Sequence, residues 1–171
     1  MLEDIQGQVA WITGAGTGIG ESGAIKLAEA GCKVVLSGRR QDVLENVASK
    51  IPGDVSIQPL DVSDNDAVLS VADSILNQYG QIDIGVFSAG INVRERNWPV
   101  VSIEDWNKVI NIDLNGAFYC CQAVLPSMRS NGGGLIINVS SMAAKSAGAL
   151  TGPAYTSAKH AMNAMTASLI V

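Results

Sequence analysis

Tyr155 and Lys159, four positions apart, are the pair in this sequence that is best suited to proton chemistry. Small and apolar residues recur at helical spacing over residues 153–162, which predicts a buried helix with both side chains on one face. A phenol has a pKa of about 10 in water, and a neighbouring ammonium favours its phenolate. Tyr155 could therefore exchange protons near neutral pH. Because the same spacing occurs on ordinary amphipathic helices, the pair alone is weak evidence for a site.

Composition restricts the classes of function that are open to the chain. Its 171 residues predict a single domain over residues 1–171, and its 47% apolar and 16% charged content is typical of a sheet covered on both faces. A net charge of −5 argues against a nucleic-acid partner, which would need clustered basic residues. No apolar run is long enough for a membrane span, and no signal peptide is visible. We therefore expect a soluble, cytoplasmic protein with no membrane partner.

Cysteine and histidine content argues against a metal centre. Cys32, Cys120 and Cys121 do not have metal-ligand spacing, and their odd number does not suggest a disulfide framework. All three are expected to be small core residues. His160 is the only histidine, so no histidine cluster can form, and we expect it to be a partly buried helix residue.

The segment 13–20, Thr-Gly-Ala-Gly-Thr-Gly-Ile-Gly, follows a predicted strand at residues 9–13. A helical pattern follows it and ends at Gly31, which is predicted to be the C-terminal cap of the helix. Glycines let the backbone approach a pyrophosphate, while a helix start offers free N–H groups and a positive dipole. A tight turn that binds nothing is the alternative, but the flanking strand and helix favour phosphate binding.

The end of the second predicted strand, residues 33–37, bears on the choice of nucleotide. In the familiar dinucleotide fingerprint an acidic residue at this end accepts the ribose 2′-hydroxyl. This chain instead has Gly38, Arg39 and Arg40, and Arg39 could pair with a 2′-phosphate. The pattern favours NADP and leaves NAD open, with a solvated loop arginine as the ordinary alternative.

The remaining elements continue the alternation of strand and helix. Further strands are predicted at residues 55–60, 82–87 and 135–139, with helices at residues 41–50, after the cap cluster 63–66, and from Ser102 to about residue 128. Pro126 should kink or end the last of these helices. The polar loop 91–99 is either solvated or covers a ligand. This order predicts an α/β fold with a doubly wound parallel sheet.

Taken in order, these motifs resemble those of the short-chain dehydrogenase/reductase family over the whole chain. The resemblance is carried by the glycine turn 13–20, Asp61-Val62, Ala89-Gly90, the serine pair 140–141, and Tyr155 with Lys159. It implies a Rossmann-type fold with three αβα layers. It also implies an oxidoreductase that interconverts an alcohol and a ketone or aldehyde with NADP or NAD.

The resemblance also implies a role for individual residues. Ser141 would hydrogen-bond the substrate oxygen, with Ser140 as the alternative, and Tyr155 would give or take the proton. Lys159 would hold the nicotinamide ribose and assist Tyr155. The implied cofactor contacts are Gly14, Gly16, Thr17, Gly18, Ile19, Gly20, Arg39, Asp61, Val62, Ala89, Gly90, Tyr155 and Lys159.

The sequence departs from the family pattern at two motif positions. Phe87-Ser88 stands where asparagines usually precede Ala-Gly, so a supporting hydrogen bond is expected to be lost. Asp113 occupies the position of the family's catalytic asparagine, between Asn111 and Asn115. Asp113 is a candidate catalytic residue that could accept from a relay water, but an unpaired buried carboxylate is far more costly than an amide.

The resemblance leads us to expect more chain after the Tyr155 helix: two strands, a Pro-Gly loop at the nicotinamide, and a substrate lid. The sequence ends at Val171, so we expect the chain as given to hold half of a substrate pocket. The resemblance further implies a homodimer or homotetramer that buries the helix at 106–128 and the Tyr155 helix.

Two other functions compete with this interpretation. One is a truncated or regulatory protein that binds a dinucleotide without turnover. The other is an adenosyl-methionine methyltransferase, which shares a glycine-rich first turn but gives no reason for Ser141, Tyr155 and Lys159. The dehydrogenase interpretation accounts for all of these residues.

Overall fold

The computed structural model describes residues 5–146 and 150–169, whose five strands form one parallel sheet. The strands are β1 (Val9–Thr13), β2 (Lys33–Gly38), β3 (Val55–Pro59), β4 (Ile84–Phe87) and β5 (Leu135–Asn138). Their order is β3-β2-β1-β4-β5, which confirms the predicted doubly wound α/β fold. The chain passes from β3 to β4 across β2 and β1, so the winding reverses between β1 and β4. Ligands of such sheets bind at this reversal, beyond the carboxyl ends of the strands.

Six α-helices in the described part of the chain connect or follow the strands. They are α1 (Gly18–Glu29), α2 (Gln41–Ala48), α3 (Asn65–Tyr79), α4 (Ile103–Ile110), α5 (Gly116–Ser130) and α6 (Pro153–Ser168). Several predicted ends differ from the structure by one or two residues. α2 stops at Ala48 rather than residue 50, and β4 begins at Ile84 rather than residue 82. Three strands end one residue away from their predicted ends, at Gly38, Pro59 and Asn138. No helix among residues 5–146 and 150–169 has the length and apolar content needed to cross a bilayer.

Helices cover the two faces of the sheet and form separate cores. On β1, Val9 and Trp11 face α3 and α5, while Ala10 and Ile12 face α1 and α2. Trp11 packs edge-to-face on Phe87 at a centroid distance of 5.9 Å, and its indole N–H donates to Ser37 Oγ at 2.9 Å. The indole N–H, which is buried in this layer, is therefore paired, as a dry core requires.

The long helix predicted from Ser102 to about residue 128 is interrupted. A π-helical turn, Asn111–Asn115, lies between α4 and α5. Pro126 does not end α5, which continues to Ser130, because a proline removes only one main-chain hydrogen bond from a helix that packs along its length. π-Helical turns often occur at functional sites, and this one contains Asp113.

Side chains cap the helices where the sequence predicts caps. Asp64 Oδ1 accepts from the Ala67 N–H at 3.1 Å, and Ser102 Oγ accepts from the Asp105 N–H at 3.0 Å. Gly80 ends α3 with a φ of 83°, a conformation that glycine adopts without strain. These caps fix the ends of the helices that lead to β4 and into the π-helical turn.

A pair of glycine substitutions tests how closely α5 packs on the end of β3. A Cβ on Gly116 would lie 2.7 Å from Val62 Cγ2, whereas a Cβ on Gly23, in the middle of α1, would meet nothing within 4 Å. Gly116→Ala should lower the free energy of unfolding by about 1–3 kcal/mol through overpacking. Gly23→Ala should raise it by about 0.5–1 kcal/mol through helix propensity. Urea denaturation measures both, and equal effects would contradict the close packing.

Candidate active site

The glycine turn after β1 packs directly against the end of β4. Gly14 has a φ of 65°, and a Cβ there would lie 2.7 Å from the Ala89 backbone nitrogen. A Cβ on Gly20 would collide with the Gly14 carbonyl oxygen. The two glycines therefore let α1 begin close to the point where the sheet winding reverses.

The first turn of α1 is open to a ligand. Thr17 is the N-cap residue with extended backbone, and its side chain makes no capping hydrogen bond. The first N–H groups of α1 thus lack the usual side-chain acceptor. Gly18 starts the helix with a φ of 61°, and Ile19 beside it is exposed. This arrangement fits the phosphates of a dinucleotide, which a helix N-terminus attracts.

A cleft runs from this turn across the ends of β2 and β3, and we call it the Arg39 cleft. The predicted cofactor contacts that line it are Gly14, Gly16, Thr17, Arg39, Asp61, Val62, Ala89 and Gly90. Asp61 Oδ1 accepts from the Ser63 N–H at 3.0 Å and from Ser63 Oγ at 2.7 Å. Burial acts to raise the pKa of Asp61, but these bonds and the Arg39 guanidinium outweigh it and hold that pKa below its usual range. Asp61 is therefore an ionised, internally bonded side chain beside Arg39.

A second cleft, the Tyr155 cleft, lies on the other side of the glycine turn. It is lined by Ser141, Tyr155 and Lys159 together with Gly14, Thr17, Ile19 and Gly90. Gly14, Thr17 and Gly90 line both clefts, so the two are neighbours along one groove. Of the remaining predicted site residues, Gly18 and Gly20 lie in the turn itself and Asp113 lies behind Lys159.

Tyr155 and Lys159 lie on the same side of α6. The helix follows Gly152, whose φ is 73°, and has Pro153 in its first turn. Lys159 Nζ is 5.6 Å from the centroid of the Tyr155 ring and donates to the Val139 carbonyl oxygen at 3.1 Å. The lysine therefore joins α6 to the residue that follows β5.

Asp113 is buried and pairs with Lys159. Its Oδ2 lies 3.6 Å from Lys159 Nζ, and its Oδ1 accepts from the Ile91 N–H at 2.7 Å. Burial raises the pKa of Asp113, although the Ile91 N–H and the Lys159 ammonium act in the opposite direction. Burial likewise lowers the pKa of Lys159, with Asp113 opposing the change. The carboxylate thus has a counter-charge in Lys159, but its buried Oδ2 makes no hydrogen bond to any described residue.

The two serines after β5 have different surroundings. Ser141 Oγ accepts from the Ala143 N–H at 3.1 Å and caps the 3₁₀ turn Met142–Ala144. Its hydroxyl hydrogen remains available to donate. Ser140 Oγ is buried and has no hydrogen-bond partner among the residues that the structure describes. A substrate in the Tyr155 cleft would meet the Ser141 hydroxyl more readily.

The polar loop 91–99 holds the chain that precedes α6, and the sequence did not identify this contact. Arg96 Nε donates to the Leu150 carbonyl oxygen at 2.7 Å, and Asn92 Nδ2 donates to the Thr151 carbonyl oxygen at 3.0 Å. A Cβ on Gly152 would collide with the Arg96 carbonyl oxygen. In the sequence, the dipeptide Gly152-Pro153 at the start of a predicted helix was a sign that the backbone is closely approached here.

Cysteine and histidine residues lie away from both clefts. The three cysteines are buried and free, and burial raises the pKa of each thiol. His160 is exposed rather than partly buried, and its Nδ1 lies 2.9 Å from the Thr156 carbonyl oxygen. Within the described ranges no group of three or more His, Cys, Asp or Glu side chains could hold a metal ion.

The turn after β4 contains Phe87-Ser88 in place of the expected asparagines. Phe87 is buried against Trp11, and the Ala89 N–H donates to Thr13 Oγ1 at 3.4 Å. The long distance indicates a weak bond. The backbone of this turn also lies close to Gly14.

The Asp113–Lys159 pair can be tested by stability measurements. Asp113→Ala should lower the free energy of unfolding by about 3 kcal/mol or more, because it leaves a buried ammonium without its counter-charge and the Ile91 N–H without an acceptor. Asp113→Asn should cost less, because its amide oxygen can still accept from Ile91. Asp73→Ala, which removes an exposed carboxylate of α3, should change stability by less than about 0.5 kcal/mol. Urea denaturation in which Asp113→Ala and Asp73→Ala behave alike would contradict the pairing.

Known proteins resemble this chain over nearly its full length. The family model described as short chain dehydrogenase matches residues 8–171. An uncharacterized oxidoreductase of Staphylococcus saprophyticus is 36% identical over 98% of this chain and 68% of its own length. Another, of Staphylococcus aureus strain N315, is 36% identical over 79% of this chain, and the match spans 58% of that relative.

Solved structures agree with the sequence comparison. A metagenomic short-chain oxidoreductase in complex with NADP superposes with a TM-score of 0.92 at 32% identity, covering 98% of this chain and 76% of that one. The protein gox2181 superposes with a TM-score of 0.90 at 29% identity, covering 96% of this chain and 65% of that one. With its glycine turn, its sheet order and a family match from residue 8 onward, the chain belongs to the short-chain dehydrogenase family.

Proposed function

We propose that the protein interconverts an alcohol and a ketone or aldehyde with a nicotinamide dinucleotide, using Tyr155 as the proton donor and acceptor. The observation that carries the proposal is the Tyr155 cleft, in which Ser141, Tyr155 and Lys159 lie together beside the glycine turn. A hydroxyl, a phenol and an ammonium are the groups that such a reaction needs at the substrate oxygen.

The bound dinucleotide supplies or accepts the hydride. The glycine turn and the open start of α1 bind its phosphates, and Lys159 holds the nicotinamide ribose. Asp61 and Val62 would contact the adenine, and Ala89-Gly90 would pass beside the cofactor. The fit rests on the uncapped N–H groups after Thr17 and on the groove that joins the Arg39 and Tyr155 clefts.

Proton transfer belongs to the side chains of the Tyr155 cleft. In reduction, Tyr155 gives its proton to the carbonyl oxygen while Ser141 donates a hydrogen bond to the same oxygen. The Lys159 ammonium, 5.6 Å from the ring centroid, attracts the negative charge that Tyr155 then carries. Ser140 is the weaker candidate because its Oγ is buried.

Asp113 acts as a positioning residue. Oδ2 holds the Lys159 ammonium, and Oδ1 holds the Ile91 N–H at the start of the polar loop. An asparagine in this place would offer an amide without charge. In this chain a carboxylate fixes the lysine that in turn faces Tyr155.

The cofactor we favour is NADP, with NAD as the alternative. β2 ends at Gly38 and is followed by Arg39 and Arg40, so no carboxylate stands here to accept a ribose 2′-hydroxyl. All three residues line the Arg39 cleft. A guanidinium can bind a 2′-phosphate through a charge-assisted hydrogen bond. The metagenomic relative solved in complex with NADP adds support for this choice.

Tyrosine substitutions test the proton-transfer role. With NADPH and a panel of carbonyl compounds, Tyr155→Phe should lower kcat/KM by at least about a hundredfold, because the phenylalanine ring has no proton to give. NADPH affinity, followed by its fluorescence, should change little. Tyr119→Phe removes a hydroxyl from α5, away from both clefts, and should retain activity. If the Tyr155→Phe enzyme remained active, Tyr155 would not be the proton donor. If the unmodified protein bound NADPH but turned over no compound, the result would support a non-catalytic binding protein.

A charge reversal tests the cofactor preference. Arg39→Asp should raise the Kd for NADPH by about tenfold or more and that for NADH much less, since a charge-assisted hydrogen bond is worth about 1.5–3 kcal/mol. Arg129→Asp makes the same charge change in the last turn of α5 and should alter neither Kd by more than about twofold. Equal weakening of NADPH and NADH by Arg39→Asp would rule out the 2′-phosphate contact.

A further inference from the structure

Charges of one sign line the Tyr155 cleft. Arg96 and Lys159 are the charged side chains among its described lining residues, and no described Asp or Glu lines it. The chain as a whole carries a net charge of −5. A cationic cleft in an acidic protein points to a substrate that carries negative charge.

The Lys159 ammonium is not available to bind a substrate anion. It is almost fully buried, donates to the Val139 carbonyl oxygen and lies 3.6 Å from Asp113 Oδ2. The charge of its ammonium is offset by that carboxylate. A substrate anion therefore gains little from Lys159.

Arg96 keeps most of its donors. Its Nε donates to the Leu150 carbonyl oxygen at 2.7 Å, and its Nη1 has a long contact of 3.5 Å with the Val93 carbonyl oxygen. A guanidinium has five N–H groups, and no described carboxylate forms an ion pair with Arg96. The side chain is partly buried, so its charge is less screened than that of an exposed arginine. The bond to Leu150 also orients the guanidinium before a ligand arrives.

Arg94, on the same loop, provides a contrast. It is exposed and lines a different surface hollow with two acidic residues, Glu95 and Asp105, and two basic ones, Arg39 and Lys108. Its charge faces solvent and does not line the Tyr155 cleft. Of the two, only Arg96 is placed to meet a substrate, and Arg94 serves as a matched control.

We propose that Arg96 is a specificity residue that binds a carboxylate of the substrate, so that the substrate pair is an oxo acid and the corresponding hydroxy acid. This inference rests on the proposed function for the reaction itself. A guanidinium pairs with a carboxylate through two parallel hydrogen bonds, which fix the orientation of the substrate as well as its charge. The carboxylate is unchanged by the reaction: in reduction the carbonyl carbon gains the hydride and the carbonyl oxygen gains the proton from Tyr155.

A panel of acids and esters provides the kinetic test. Pyruvate, acetoacetate and levulinate place the carbonyl one, two and three carbons from the carboxylate, and their methyl esters lack the charge. In the unmodified protein, kcat/KM for at least one acid should exceed that for its ester by more than tenfold. Arg96→Gln keeps an N–H for Leu150 but no charge, and should bring this acid-to-ester ratio close to one. Arg96→Lys should restore part of the ratio, and Arg94→Gln should leave it as it was.

A binding measurement separates this inference from the proposed function. The midpoint of thermal unfolding of the NADPH complex is measured with levulinate and with methyl levulinate. Levulinate should raise the midpoint in the unmodified protein and in Arg94→Gln, but not in Arg96→Gln. Levulinate binding that depends on Arg96 would support the carboxylate site even if no compound were turned over, in which case only the proposed reaction would fail.

Three results would overturn the carboxylate site. The first is equal kcat/KM for every acid and its ester in the unmodified protein. The second is a loss in Arg96→Gln that is the same for acid and ester, which would assign Arg96 to holding Leu150 alone. The third, decisive without turnover, comes from repeating the thermal measurement with all three acids: a shift that none of them causes in the unmodified protein, or one that persists in Arg96→Gln.

Discussion

The buried pair of Lys159 and Asp113 connects four parts of the chain that are distant in sequence. Lys159 belongs to α6, and Asp113 to the π-helical turn between α4 and α5. The lysine also bonds to Val139 after β5, and the aspartate to Ile91 after β4. Tyr155 lies one helical turn before the lysine, so its position relative to the glycine turn depends on this junction. The groups of the Tyr155 cleft are thus arranged by one ion pair and two main-chain hydrogen bonds.

Burial makes this pair costly to form and more costly to break. The pKa of Asp113 is raised and that of Lys159 is lowered, and burial is the largest cause in both cases. Both changes mean that the site disfavours the charged forms, while each partner acts to restore the charge of the other. Such pairs contribute little net stability, but removal of one member leaves an uncompensated charge. The pair therefore contributes more to the geometry of the site than to the overall stability of the fold.

The sequence predicted the parts of the structure that depend on local pattern. Short apolar runs predicted β1, β2 and β4, because a strand buried on both faces needs no polar alternation, and they also predicted the edge strands β3 and β5, which are only partly buried. Gly14 and Gly20 indicated a turn in which the backbone approaches its neighbours closely. The sequence did not predict the π-helical turn. The apolar pattern continues through residues 109–117, so it does not reveal the extra residue in this turn. The prediction of an uninterrupted helix was therefore wrong there.

Contacts between distant segments were beyond the reach of the sequence. Asp113 was identified as a departure from the family pattern, but its pairing with Lys159 depends on how α6 packs against the π-helical turn. The loop 91–99 could equally have been solvated or close to a ligand, because its polar residues suit both. Only the fold shows that Arg96 and Asn92 bond to the chain just before α6.

In the proposed reaction, those loop contacts would link substrate recognition to the placement of the proton donor. Leu150 and Thr151, which accept from Arg96 and Asn92, lie three and two residues before Pro153, where α6 begins. At the other end of the loop, Ile91 bonds to Asp113 and so to Lys159. The loop is therefore tied to α6 both at its start and through the ion pair one turn beyond Tyr155. In the proposed reaction, the loop that binds the substrate is held by the same contacts that fix the Tyr155 phenol. The reacting groups are then already in place, so substrate binding need not order them further.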